Sequence, residues 1–216
     1  MIAVIDYRMG NLLSVERGLR GVGADARITD DAAVIAAADA SVLPGVGAFG
    51  DAAASMRALG QMDVVTSRVR EGVPFLGICL GQHLMCAAGV EGAAVGESIP
   101  GMGLIDCVVD KLPAHDAAGT FYKIPHVGWN TIEPPAGDSF DNPLFEGINP
   151  GEYFYFTHSY YVPVCANTSA VTHHSLALSS AVRYGDVAFG VQFHPEKSSD
   201  AGAAVLRNFA RLAGQL

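Results

Sequence analysis

Cysteine is sparse in this sequence. The four in 216 residues include no Cys-x-x-Cys pair, which excludes a disulfide framework and a thiolate zinc site. Basic residues are also few: 13 Lys and Arg face 22 Asp and Glu, for a net charge of −9. Nonspecific binding to nucleic acid or to an anionic membrane is not expected of such a chain. No apolar run is long enough to span a membrane or act as an export signal. The opening "MIAVID" stops at Asp6 and Arg8, and the alanine-rich stretch after Asp31 is broken by Asp39 and "PGVG". A reducing cytoplasm is the expected location. The seven histidines form no metal pattern, since His173 and His174 are adjacent and His115 sits in a polar, Ala/Gly-rich stretch. Neither a metal nor another cofactor is expected. Internal repeats and low-complexity linkers are absent as well.

What is present is a globular composition. Half of the residues are hydrophobic and 16% are charged, enough for one well-buried domain over residues 1–216. "IAVID" reads as a buried strand, and Leu12, Val15, Leu19 and Val22 follow the period of a helix. "ADARIT" predicts a second strand, with Thr29, Asp30 and Asp31 placed to cap the next helix. "ASVLPGVG" predicts a third strand running into a glycine loop. A helical region follows from about Phe49 to Arg70, interrupted at Gly60, and then the short apolar strand "PFLGI". This βαβαβ rhythm predicts an α/β fold with a central, mainly parallel sheet flanked by helices. From about Gly101 the texture changes to strands separated by Pro, Gly, Asn and Asp, which predicts an antiparallel or mixed extension. A last helix starts near Ser198–Asp200 and carries Val205, Leu206, Phe209 and Leu212 on one face.

Three segments suggest chemistry. Gly77-Ile78-Cys79-Leu80-Gly81 has the form of a nucleophile elbow, in which strand and helix cross so tightly that the flanking positions must be small. There a thiolate is stabilised by the free N–H groups of a helix start. Buried packing is the other use of such a cysteine. A nucleophilic cysteine needs a base, and the base an orienting acid. In "QFHPEKSS", His194 and Glu196 flank Pro195, and on an extended segment residues i and i+2 face one way. Otherwise they are simply an exposed His and Glu in a loop. "LPGVGAFG" offers Gly45 and Gly47, which free the peptides around Val46 to aim an N–H at an oxyanion, with the Leu80 N–H as second donor. An ordinary strand-to-helix loop is the alternative.

Together these segments resemble the class I (triad) glutamine amidotransferases over nearly the whole chain. "IDYRMGNLLSV", "LPGVGAFG", "GICLG", "PHVGWN", "YFTHSYY" and "FGVQFHPEKSS" follow the family's order. "PGVG" and "PHVGWN" resemble the branch comprising the glutaminase subunits of imidazole glycerol phosphate synthase, in histidine biosynthesis. The resemblance implies that Cys79 attacks the carboxamide of L-glutamine, that His194 moves the proton, and that Glu196 orients His194. It implies an oxyanion hole from the backbone of Val46 and Leu80, in a loop able to turn its peptide away. Gly45, Gly47, His83, His158, Ser159 and Tyr160 are implied in holding glutamine. It further implies a heterodimer with a (βα)8-barrel cyclase subunit that receives the ammonia, through a surface including Asn11, Trp129, Asn130, Tyr155 and Lys197. Taken alone, Trp129 also fits a core position, and Tyr155 also fits an alternating strand aromatic.

Two residues depart from the family's pattern. Arg8 stands where Gly is usual, and His83 stands where Gln is usual, four residues after the nucleophile. Gln82 is one place too early, rotated about 100° around a helix. Either His83 takes over, or glutamine is gripped differently. Other readings are a paralogue feeding another synthetase, a non-catalytic regulatory homologue, and a cysteine hydrolase of another amide. The intact Cys79, His194 and Glu196 set favours an enzyme, and "PGVG" with "HSYY" favours glutamine.

Overall fold

A computed structural model describes residues 1–216. The first half alternates strand and helix: β1 (Ile2–Ile5), α1 (Leu12–Gly21), β2 (Ala26–Thr29), α2 (Ala32–Ala37) and β3 (Ala40–Leu43). Then come α3 (Phe49–Ala58), α4 (Gln61–Arg70), β4 (Phe75–Ile78) and α5 (Leu80–Met85). Local chemistry explains the boundaries. Asp31 Oδ1 accepts from the Ala33 N–H at 2.8 Å and so caps α2. Gly60, at φ +66°, breaks what would otherwise be one long helix into α3 and α4. Val15 and Leu19 are the buried face of α1.

The second half is richer in strands: β5 (Cys86–Gly89), β6 (Ile99–Pro100), β7 (Ile105–Lys111), β8 (His126–Thr131) and β9 (Tyr153–His158). β10 (Tyr160–Tyr161), β11 (Thr168–His173), β12 (Ala177–Tyr184), β13 (Ala188–Val191) and α6 (Ser199–Leu212) complete the chain. The main sheet has seven strands in the order β11-β12-β13-β4-β3-β1-β2. β13, β4, β3, β1 and β2 run parallel, and β11 and β12 add an antiparallel edge. A four-stranded sheet, β10-β7-β5-β6, and the β8-β9 ribbon lie apart from it.

The late strands thus do more than extend the fold at one side. β13 enters the main sheet beside β4, pairing Val191 with Ile78. Its four residues are all buried, as a central parallel strand requires. Such a run fits any interior position, so local pattern does not name its partner. Alternate residues of each strand feed two cores. Ile2, Val4, Leu76, Ile78, Phe189 and Val191 belong to one, while Ala3, Ile5, Leu43 and Phe75 belong to the other. Each fully buried large side chain contributes on the order of 1.5–3 kcal/mol, before the cost of ordering it.

Two glycines decide how β4 meets α5. A Cβ at Gly77 would lie 2.6 Å from the Gly81 carbonyl oxygen, and a Cβ at Gly81 would lie 1.9 Å from the Leu43 carbonyl oxygen. Both contacts are with backbone, which has nowhere to retreat. Arg8 is a contrasting case. It is exposed and sits at φ +70°, a conformation costly for a side chain with a Cβ, with its N–H donating to Asp6 Oδ1 at 2.7 Å. Glycine is the unstrained residue for that backbone.

Replacing Gly81 by Ala is expected to destabilise the protein by at least about 3 kcal/mol. A urea midpoint equal to that of the wild type would show that the crossing relaxes freely.

Candidate active site

Because β4 and β13 are parallel neighbours, their carboxyl ends deliver two parts of the sequence to one place. Cys79 follows β4 directly. It adopts φ 53° and ψ −105°, and its N–H donates to the Val191 carbonyl at 2.7 Å. A non-glycine residue held there stores backbone strain, and the glycine contacts on either side leave the chain no alternative. Its sulfur lies 4.0 Å from the Thr157 carbonyl oxygen and 3.7 Å from the Gln192 amide nitrogen.

His194 follows β13 by three residues and is buried. Its N–H donates to the Tyr155 carbonyl at 2.9 Å, which ties the segment to β9. Only His194 itself is extended, at φ −103° and ψ 96°. Pro195–Lys197 form a 3-10 turn rather than the extended run expected from the sequence. The turn still returns Glu196 to the imidazole, with Oε1 2.9 Å from Nδ1 and both side chains almost wholly buried. An ionised carboxylate only accepts, so Nδ1 carries the hydrogen. Nε2 has no hydrogen-bond partner.

Burial by itself would lower the pKa of His194. Interaction with Cys79 and with the Glu196 carboxylate outweighs it and raises the value to about 9. The Cys79–Nε2 approach falls short of a formed hydrogen bond, so the pull of Cys79 is that of a near neighbour. Relative to its ordinary value of 6.5, His194 thus binds its proton more tightly in the folded state. The stability this supplies is complete below about 6.5 and is lost as pH rises through about 9.

Cys79 opens onto a cavity of about 280 Å3, the size of a small polar molecule. Val46 and Gly47 line one side, Leu80 and His83 come from α5, and His158, Ser159 and Tyr160 from the end of β9 onward. The N–H groups of Gly45, Val46 and Gly47 make no hydrogen bond within the protein. His194 sits behind the cavity and does not line it. Gly45 is not at the cavity either. It is buried below the loop, where an added Cβ would lie 2.6 Å from both Leu80 Cβ and the Tyr7 hydroxyl. The structure thus gives Gly45 a packing role against the elbow.

One lining residue carries no sequence signal. Glu91 lies after β5, 12 residues beyond Cys79, and nothing local marks it out. Its Oε2 accepts from the Phe49 N–H at the start of α3, at 2.9 Å. Burial and the charge of Asp51 push its carboxyl upward, against the pull of that hydrogen bond. Buried histidines surround the remaining wall. His83 Nε2 meets Gln192 Oε1 at 2.8 Å, and His158 bridges the Tyr160 carbonyl at 2.8 Å and His126 at 3.0 Å. Burial lowers His83 and His126 to about 4 and takes His158 well below its ordinary value, so all three are neutral.

The residues expected at a partner surface lie on or near the β8-β9 ribbon. Trp129 is 52% exposed, which removes the core alternative. It pairs across the ribbon with Tyr155, the rings edge-on at 6.2 Å, and Lys197 Nζ stands 5.9 Å from the Tyr155 ring centre. Asn130 is half-buried and turned inward, its amide nitrogen 2.9 Å from the His173 carbonyl oxygen and 3.3 Å from His126. Asn11 is half-buried just before α1. No three His, Cys, Asp or Glu side chains converge as a metal-binding set, and no helix is long and apolar enough to cross a membrane.

Comparison with known proteins places this geometry in context. The family model for glutamine amidotransferase class-I matches residues 3–213. The imidazole glycerol phosphate synthase subunit HisH of Moorella thermoacetica is 42% identical, over 98% of this chain and 94% of its own. The protein of the same name from Methanosarcina acetivorans is 41% identical, over 98% of both chains. Among solved structures, a glutamine amidotransferase crystal structure superposes with a TM-score of 0.70 at 21% identity, covering 99% of this chain and 98% of that one. PurLQS from Thermotoga maritima gives 0.67 at 15% identity, covering 97% of each. These two likenesses concern the fold alone.

Replacing Glu196 by Gln is expected to lower the His194 pKa from about 9 by at least one unit, read from the imidazole resonances in an NMR titration. An unchanged value would mean that Glu196 does not hold the proton.

Proposed function

The chain belongs to the class-I glutamine amidotransferases, and on that premise we propose that it is the glutaminase subunit of an imidazole glycerol phosphate synthase, in histidine biosynthesis. Its 216 residues act as one cytoplasmic domain on L-glutamine. The observation that carries this reading is the convergence of three groups. Cys79, on a strained elbow, opens onto an amino-acid-sized cavity, and His194 stands behind it, held by Glu196 at 2.9 Å.

In this proposal the Cys79 sulfur attacks the carboxamide carbon of glutamine, and the carbonyl becomes an oxyanion. Backbone N–H groups of Val46 and Leu80 receive that charge, and the loop's donors are already free of other partners. His194 gives its proton to the departing nitrogen, so ammonia leaves and a γ-glutamyl thioester remains. Water then adds to the thioester, His194 takes a proton from it, and glutamate is released. One glutamine and one water yield one glutamate and one ammonia. Glu196 keeps Nδ1 occupied, so that Nε2 faces the reaction throughout.

The cavity divides naturally by charge. Glu91 is its one carboxylate and suits the α-ammonium of glutamine. The backbone and hydroxyl groups of Ser159 and Tyr160 in the same lining supply neutral contacts. His83 is neutral, so it offers hydrogen bonds rather than charge. Ammonia escaping into neutral water would become ammonium and lose its nucleophilicity. A (βα)8-barrel cyclase subunit docked over Trp129, Tyr155 and Lys197 would receive it directly. An exposed tryptophan buttressed by a tyrosine and a lysine is suited to such a contact.

Glutamate release is expected from the purified chain with the cyclase partner and its ribonucleotide, and to vanish in Cys79→Ser while ammonia-dependent synthesis by the complex continues. Turnover by Cys79→Ser would remove the nucleophile assignment. Glu91→Gln is expected to raise KM for glutamine about tenfold or more with little change in kcat. An unaltered KM would place the α-ammonium elsewhere.

A further inference from the structure

Gln192 is completely buried between β13 and His194, and it does not line the cavity. Its backbone is tied into the sheet, with its N–H donating to the Ser180 carbonyl at 2.9 Å. The side chain reaches across to two groups. Oε1 lies 2.8 Å from His83 Nε2, and the amide nitrogen lies 3.7 Å from Cys79 Sγ. An amide oxygen can only accept, so His83 is the Nε2–H tautomer. With the oxygen engaged by His83, the NH2 end is the one turned toward sulfur.

The sulfur therefore has partners of opposite preference. The Thr157 carbonyl at 4.0 Å can accept a hydrogen from a thiol but repels a thiolate. The Gln192 amide can donate to a thiolate, and a hydrogen bond to a charged acceptor is stronger than one to a neutral acceptor. Gln192 thus favours the reactive form of sulfur without touching the substrate.

We propose that Gln192 is a positioning residue that donates an amide hydrogen to the Cys79 thiolate, and that His83 acts through it by fixing the direction of the amide. The inference rests on Cys79 being the nucleophile, as argued above. It also accounts for histidine at position 83. A glutamine there, the family's usual residue, would donate to Gln192 Oε1 through its own amide, whereas a hydrocarbon side chain would leave the Gln192 amide free to turn its oxygen onto sulfur.

The test is the pH dependence of Cys79 alkylation by iodoacetamide, followed by mass spectrometry of the Cys79 peptide. The titratable groups around the sulfur are His194 with Glu196 behind it, His83 from α5, and Tyr7 from the segment after β1. Burial holds His83 at about 4 and raises the Tyr7 phenol far above neutrality, so neither titrates between pH 5 and 9. Gln192→Met keeps the length of the side chain and removes the donor. Its alkylation midpoint is expected to move up by about one pH unit. In glutamine turnover, kcat is expected to fall about tenfold with KM unchanged, since Gln192 is outside the cavity. His83→Gln is expected to keep the wild-type midpoint and His83→Leu to raise it. If Gln192→Met fails to fold, the two His83 variants still decide the matter. A midpoint unchanged in Gln192→Met, or equal in His83→Leu and His83→Gln, overturns the proposal. Alkylation needs no glutamine, so a midpoint shift in a chain that hydrolyses none even with the cyclase partner and its ribonucleotide would sink the glutaminase reading and leave the role of Gln192 standing.

Discussion

The crossing of β4 and α5 is the constraint on which the site depends. At Gly81 the helix comes so close to the end of β3 that a Cβ would fall 1.9 Å from the Leu43 carbonyl oxygen. At that distance the chain leaving β4 must turn at once, and the turn falls on Cys79 at φ 53°. The sulfur is consequently pushed out beyond the ends of the parallel strands, into the space bounded by the 45–47 loop. The same proximity buries Gly45 against Leu80 and leaves Val46 and Gly47 at the cavity. Nucleophile and loop are thus set by one backbone contact.

A second order comes from where the structure allows charge. His83, His126, His158 and His194 are all buried, and burial alone disfavours the protonated form in each. The first three are neutral. His194 goes the other way, to about 9, because Glu196 and Cys79 stand beside it. Within this cluster the mobile proton is therefore confined to the imidazole that must give it to a leaving amine. The neutral histidines are left to orient other groups: His83 the Gln192 amide, and His158 the backbone at Tyr160.

Much of this was legible in the sequence because it rests on short-range rules. Gly77 and Gly81 around Cys79, Pro195 between His194 and Glu196, the capping Asp31 and the break at Gly60 each state a local backbone requirement. Pairing across the sheet was not legible. "AFGV" of β13 reads as a buried strand, but nothing in it says that Val191 faces Ile78, and that register is what brings His194 to Cys79. β11 is not legible from local pattern either, since "TSAVTH" mixes polar and apolar residues at the sheet edge. Glu91 and Gln192 were invisible as site residues for a related reason. Each is an ordinary residue made important by neighbours 42 and 109–113 positions away. The Pro195 turn shows the opposite case, in which the expected partners met through a conformation other than the one anticipated.

The central claim is that Cys79 is the residue that bonds covalently to the side-chain carbon of glutamine. It is tested most directly with a glutamine analogue carrying an electrophilic chloroketone in place of the carboxamide, followed by peptide mapping. The account predicts modification of Cys79 alone, prevented by excess glutamine. Modification of Cys86, Cys107 or Cys165 instead, or labelling of Cys79 that glutamine does not slow, would contradict it.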